Sequence, residues 1–124
     1  MSARILVVED EQIVAEDLRH RLHSMGHEVV GTAAEGREAV RMAVDLKPDL
    51  VLMDVRLQGT IDGIQAARLI HIMLETPIVY ITAYSHVFVH GGVEMQPPGV
   101  CIAKPFSQEQ LSATLSVVLS HTKQ

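Results

Sequence analysis

The sequence predicts an α/β protein, a three-layer αβα sandwich on a five-stranded parallel sheet, and three observations carry that prediction. Short unbroken runs of aliphatic residues alternate with segments of helical apolar spacing along the chain. The runs, such as Ile5-Leu6-Val7-Val8 and Leu50-Val51-Leu52-Met53, are apolar on both faces, as strands covered by helices on each side must be. The core must also be aliphatic: 48% of residues are hydrophobic, yet there are only two Phe, two Tyr and no Trp.

Taken in order, the first strand, Ile5 to Val8, stops at Glu9-Asp10-Glu11, so acids sit at its carboxyl end. Val14, Leu18, Leu22 and Met25 recur at helical spacing, and Gly26 stands where a left-handed C-terminal cap is expected. Val29-Val30-Gly31-Thr32 reads as a second strand. Ala39, Ala43 and Leu46, with Val40 and Val44, mark a second helix ended by Lys47-Pro48. Leu50 to Met53 then repeats the first pattern and is closed by Asp54. Asp62 and Gln65 form a capping-box pattern that opens a third helix through Ile64, Ala67, Ile70 (or His71) and Leu74, ending before Pro77. Ile78-Val79-Tyr80-Ile81 is a fourth strand closed by Thr82-Ala83, and Val100 to Ala103 a fifth closed by Lys104-Pro105. Ser107 and Gln110 cap a last helix that carries Leu111, Leu115, Val118 and Leu119.

The 124 residues suit one compact domain, 1–124, with no internal repeat or linker. A net charge of −5 without a run of Lys or Arg argues against direct nucleic-acid binding by this chain alone. The single Cys excludes an internal disulfide, and no apolar run approaches the ~20 residues of a membrane span. A soluble cytoplasmic protein is expected.

In parallel α/β sheets ligands bind beyond the carboxyl ends of the strands, where strand order reverses. The residues there are Asp10, Asp54, Thr82 and Lys104. A lone strand-ending Asp is usually a solvated loop residue or a cap, a Thr there satisfies strand propensity, and a Lys before Pro is a surface charge. None of these readings explains why all of them meet on one rim.

Val8-Glu9-Asp10-Glu11, Leu52-Met53-Asp54, Asp62-Gly63, Ile81-Thr82-Ala83 and Lys104-Pro105-Phe106 together resemble, in order and spacing, the receiver domains of two-component response regulators, chemotaxis-regulator-like in fold. The resemblance spans nearly the whole chain. It implies a flavodoxin-like, doubly wound sheet of strand order 2-1-3-4-5, an order supplied by the family and not by the spacing. It further implies that Asp54 is the phosphoacceptor, taking its phosphoryl group from a phosphohistidine of a sensor histidine kinase or a histidine phosphotransfer protein. Mg2+ (or Mn2+) would be held by Asp10, Asp54 and the backbone carbonyl of Arg56, with Glu9 orienting water in the outer shell. Lys104 would neutralise phosphoryl oxygens, and Thr82 would donate its hydroxyl after transfer, moving the loop behind it.

These residue types suit the chemistry. A carboxylate attacks a phosphoryl group poorly because both are negative, so cations must cover the charge and the attack must be in line. The only activity expected is self-directed, phosphotransfer onto the chain and autodephosphorylation, with no outside substrate.

The sequence departs from the family pattern in three places. The stretch Val55 to Ile61 is one residue longer than usual and lacks the usual Pro. Cys101 stands where relatives carry an aromatic residue whose inward rotation reports phosphorylation. The fourth helix, between Ser85 and Gly99, is expected to be short or distorted, because Val87-Phe88-Val89, Gly91-Gly92 and Pro97-Pro98-Gly99 oppose it. By the same resemblance, Arg56 and Tyr84 tune the acyl-phosphate lifetime, and their bulk predicts shielding from water.

Other residues get plainer readings. Glu11 is a first-turn helix residue, the seven His are surface residues, Cys101 packs in a buried strand, and Met42, Met53 and Met73 fill the core. Two other function classes compete. A degenerate receiver would be a phosphorylation-independent interaction or dimerisation scaffold, and Val117 with Val118 offers an apolar edge for a homodimer. A metal-dependent phosphohydrolase would want a second Asp two residues after the nucleophile, where Arg56 stands. With no output domain after the last helix, the chain would bind a target, relay phosphate, or belong to a longer protein.

Overall fold

The computed structural model describes residues 2–57, 59, 61–82 and 99–122. Five strands, β1 (Arg4–Val8), β2 (Glu28–Ala33), β3 (Leu50–Asp54), β4 (Ile78–Thr82) and β5 (Gly99–Ala103), form one parallel sheet of order β2-β1-β3-β4-β5. Among the described residues the helices are α1 (Gln12–Ser24), α2 (Gly36–Leu46), α3 (Gly63–Leu74) and α4 (Gln108–Thr122). This is a flavodoxin-like, doubly wound fold, with the strand order that the resemblance implies. The helix expected between the fourth and fifth strands falls in residues 83–98, outside the described residues, as does Tyr84.

Two-residue alternation divides the core. Leu6, Val8, Val51, Met53 and Tyr80 face α2 and α3, whose Ala39, Ala43, Ala66 and Ala67 bring the helix backbones close to the sheet. Ile5, Val7, Leu50, Leu52, Val79 and Ile81 face the other way, onto Leu18 and Leu22 of α1 and Leu111, Leu115 and Leu119 of α4. Each buried Leu contributes roughly 1.5–3 kcal/mol. The two layers together hold the strands rigidly enough for their ends to serve as a platform.

Helix ends follow the local chemistry. At Asp62 both halves of the capping box are present, Gln65 N–H donating to Asp62 Oδ1 at 2.9 Å and Asp62 N–H to Gln65 Oε1 at 3.0 Å. Ser107 and Gln110 repeat the arrangement at α4, both bonds at 3.0 Å. After α1 the chain closes through Gly26 at φ 89°, with Gly26 N–H on His23 O and His27 N–H on Leu22 O, the paired bonds of a Schellman turn.

The structure corrects three of the plainer readings. Met73 is 49% exposed and fills no core, whereas Met53 is fully buried. The fifth strand is an edge strand and is less buried than its composition suggests: Val100 is 45% exposed and Cys101 only half-buried. His27 is not a free surface residue. It is half-buried, and its Nδ1 accepts a hydrogen bond from Ala3 N–H at 3.0 Å, tying the start of β1 to the turn before β2. His71 is half-buried as well, and His86 and His90 lie outside the described residues.

Burial holds His27 below its ordinary pKa of 6.5, so the unfolded chain takes up this proton more readily than the folded one. Protonation also removes the lone pair that accepts from Ala3. The tie is intact above the ordinary value and is lost as pH falls through the lowered one. Urea unfolding at about pH 7.5 and 5.5 should show stability dropping with acid, and His27→Gln, whose amide oxygen accepts at either pH, should reduce that drop.

Candidate functional site

Parallel strands of matched length end together, and here the ends carry the chemistry. Val8 pairs with Met53, Asp54 with Ile81, and Thr82 with Ala103, so the residues that follow or close β1, β3, β4 and β5 share one edge. Backbone bonds carry the order past the strands: Glu9 N–H donates to Ala33 O at 2.9 Å, Val55 N–H to Ile81 O at 3.2 Å, and Lys104 N–H to Thr82 O at 2.7 Å. The chain turns outward to β2 on one side of β1 and to β3 on the other, so the edge lies where strand order reverses.

On that edge Glu9, Asp10 and Asp54 each present a carboxylate oxygen within 4.8 Å of the others. Lys104 Nζ lies 3.3 Å from Glu9 Oε1 and 3.6 Å from Asp54 Oδ2. The remaining oxygens are held by backbone amides: Arg56 N–H donates to Asp54 Oδ1 at 3.0 Å, and Glu11 N–H to Glu9 Oε2 at 3.1 Å. Glu11 itself is the N-cap of α1, just ahead of the first turn it was expected to occupy. The Lys104–Pro105 peptide is cis.

The electrostatics are those of crowded acids with an ammonium among them. Burial, reinforced by Asp54, pushes the Glu9 carboxyl up to about 7, against the pull of Glu11 N–H and Lys104. Burial also works against the Lys104 charge, but Asp54 and Glu9 overcome it and raise its pKa. Lys104 alone does not balance three carboxylates. A hard cation with oxygen ligands suits this donor set, so the residues fit the divalent metal that the resemblance implies.

The structure therefore brings together Glu9, Asp10, Asp54, Thr82 and Lys104. Thr82 is buried at the end of β4. Arg56 lies at the same edge through its backbone, and its side chain is exposed. Cys101 sits apart, one strand-pair further down β5, opposite Tyr80, with its thiol pushed up to about 11 by burial. The ring of Tyr80 leans over β5: a Cβ on Gly99 would stand 2.7 Å from its Cε2.

One site residue was named in the sequence only as part of a motif. Gly63 opens α3 directly behind the acidic nest, its N–H donating to Val55 O at 3.0 Å. A Cβ there would lie 2.0 Å from the backbone oxygen of Asp54. No side chain is tolerated at that distance, and the neighbour is backbone that cannot turn aside. The Asp62-Gly63 pair thus combines a cap with a close approach, which is the signal that could have found it.

The family model for the response regulator receiver domain matches residues 5–116. The chain belongs to the response regulator receiver family. Among its relatives, the phyllosphere-induced regulator PhyR of Methylorubrum extorquens is 38% identical over 96% of this chain and 44% of its own length. The transcriptional regulatory protein PdtaR of Mycobacterium tuberculosis is 36% identical over 98% of this chain and 58% of its own. The chain thus spans about half the length of these curated relatives. The receiver domain of a modulated diguanylate cyclase from Desulfovibrio desulfuricans superposes with a TM-score of 0.88 at 33% identity, covering 99% and 98% of the two chains. The anti-anti-sigma factor PhyR of Bartonella quintana gives 0.86 at 30% identity, covering 99% of this receiver and 49% of that chain.

Two outcomes follow from the geometry of this receiver. Gly63→Ala should cost about 3 kcal/mol in chemical denaturation, because α3 and the Asp54 backbone must part. In divalent-free buffer the folded protein keeps a proton on Glu9 between 4.5 and about 7 that the unfolded chain has lost, so stability falls as pH rises across that window. Glu9→Gln should remove that component of the fall, read from paired unfolding curves of the two proteins.

Proposed function

We propose that this receiver is a phosphorylation-controlled interaction module in which Asp54 takes a phosphoryl group from a phosphohistidine of a sensor histidine kinase or histidine phosphotransfer protein. The observation that supports it most is the Asp54 carboxylate set between two further acids and the Lys104 ammonium on the open edge of the sheet.

Asp10, Asp54 and the Arg56 carbonyl would hold Mg2+ (or Mn2+), with Glu9 engaging it through water. Such a cation covers phosphoryl charge and favours in-line alignment. The chain's own groups do the rest. An Asp54 oxygen attacks phosphorus, forming the O–P bond as the P–N bond of the donor breaks, and the imidazole nitrogen keeps the electron pair. Lys104, already beside Asp54, neutralises charge on the transferred oxygens. The Thr82 hydroxyl donates to one of them afterwards, and that new bond shifts the loop behind β4. Hydrolysis returns the Asp54 carboxylate and free phosphate, with the bulk of Arg56 and Tyr84 slowing the entry of water. Asp54 acts on no outside substrate in this scheme. The protein works in the cytoplasm, and its downstream partner is a protein, not a nucleic acid.

A second reading has one observation in its favour. Cys101 and Val100 line an apolar groove of about 310 Å³ with Ala113, Thr114, Val117 and Val118, and Val117 is 58% exposed. A receiver that had lost its output coupling would use such a face as a phosphorylation-independent scaffold, including for a homodimer.

Incubation with magnesium and a small phosphodonor, followed by intact mass and binding of beryllium fluoride, separates the two. A single phosphoryl adduct is expected, dependent on magnesium and absent from Asp54→Asn. An unmodified wild-type protein with no magnesium affinity would overturn the phosphoacceptor reading in favour of the scaffold.

A further inference from the structure

Lys104 serves a phosphoryl group on Asp54 only from its place between Glu9 and Asp54, and its backbone belongs to the connection between β5 and α4. On one side that connection is secured by the Lys104 N–H bond to Thr82 O at 2.7 Å. On the other the chain leaves the sheet through Pro105 and Phe106 before Ser107 caps α4. What secures Phe106 therefore limits where the Lys104 ammonium can go.

The anchor is on α1. The guanidinium carbon of Arg21 lies 5.5 Å from the centre of the Phe106 ring, and Arg21 Nη1 donates to Phe106 O at 3.5 Å. Arg21 is itself oriented by Asp17, one turn earlier, through an Nε–Oδ2 bond of 2.9 Å. Just past Phe106, Gln108 Nε2 reaches the same stretch of α1, donating to Arg21 O at 3.3 Å and Ser24 Oγ at 3.0 Å. The Arg21 side chain is 33% exposed, so its contact with the ring is partly shielded from water and stronger for it. The guanidinium reaches Asp17 and the Phe106 carbonyl from different nitrogens while its carbon lies over the ring, whereas an ammonium would have to serve all three from one atom.

We infer that Arg21 is a positioning residue for Lys104, holding the β5–α4 connection through Phe106 so that the ammonium stays against Asp54. The catalytic consequence rests on the phosphoacceptor reading above, whereas the mechanical tie does not. The competing account is that Arg21 only joins α1 to α4 and contributes to stability.

The phosphorylation rate with a small phosphodonor and magnesium is measured for Arg21→Met, which keeps the aliphatic stem, in the Lys104 protein and in Lys104→Met, with thermal unfolding of each. The expected loss is about tenfold where Lys104 is present and none beyond the Lys104→Met loss where it is absent, since misplacing a charged group is felt only through that group. Arg21→Lys should lie between Arg21→Met and wild type. Equal fold-losses in both backgrounds, or no loss with Lys104 present, would overturn the inference. A second readout does not need phosphorylation: 13C relaxation at Lys104 Cε in the unphosphorylated protein. Arg21→Met should make Lys104 more mobile and leave Lys47 unchanged; unchanged Lys104 mobility defeats the inference whatever the rates. If wild type accepts no phosphoryl group, the phosphoacceptor reading falls alone, and relaxation still decides the tie.

Discussion

Everything at the working edge of this receiver depends on keeping three carboxylates close together in a partly buried corner, with the Lys104 ammonium set against two of them. Left to themselves such groups would separate or pick up protons; burial first, and the Asp54 charge after it, raise the Glu9 carboxyl in that direction. The fold resists it with parts that cannot yield. β1 and β3 are adjacent parallel strands locked in register, so the backbones bearing the acids are fixed before side chains are considered. Backbone N–H groups of Glu11 and Arg56 then hold one oxygen of Glu9 and one of Asp54. The same crowding that costs folding energy makes the corner receptive to a cation and an incoming phosphoryl group, so stability is sacrificed where function is expected.

This division explains how much was legible in the sequence. Strands buried on both faces read as unbroken apolar runs, and a run that stops at Asp or Lys announces its own end, so the sequence alone assigns Asp10, Asp54, Thr82 and Lys104 to one rim. The caps at Asp62 and Ser107 were equally local, three residues apart in the chain and bonded as their spacing implies. Periodicity reports which face a residue takes; it reports poorly whether a neighbour covers that face. Met73 matched an apolar helix but projects into solvent, and Val100 matched a buried strand but lies on the sheet's margin.

Long-range polar ties were invisible for a different reason. His27 accepts from a backbone amide 24 residues away, and Arg21 meets Phe106 across 85 residues. Neither contact leaves a pattern in its own neighbourhood, because an Arg paired i,i+4 with an Asp looks like any solvated helix face. Gly63 is intermediate. Its place after a capping Asp was plain, while the need for a bare Cα came from the Asp54 backbone lying against it.

The departure at Cys101 gains a physical meaning from its neighbours. Tyr80, directly opposite on β4 and on the same face, already spreads over β5 as far as Gly99, and a thiol is what remains beside it. A side chain of that size has no ring to swing between inward and outward positions. Among the described residues one connection leaves the site by another way: from Thr82 O to the Lys104 backbone, along Pro105 to Phe106, and from Phe106 through Arg21 into α1. Each link is a specific bond or ring contact, and together they join the end of β4 to a helix whose Ile13 is 86% exposed at its opposite end. Among the described residues, a bond newly formed at Thr82 would therefore have a route into the β5–α4 connection and α1 that needs no rotating aromatic on β5.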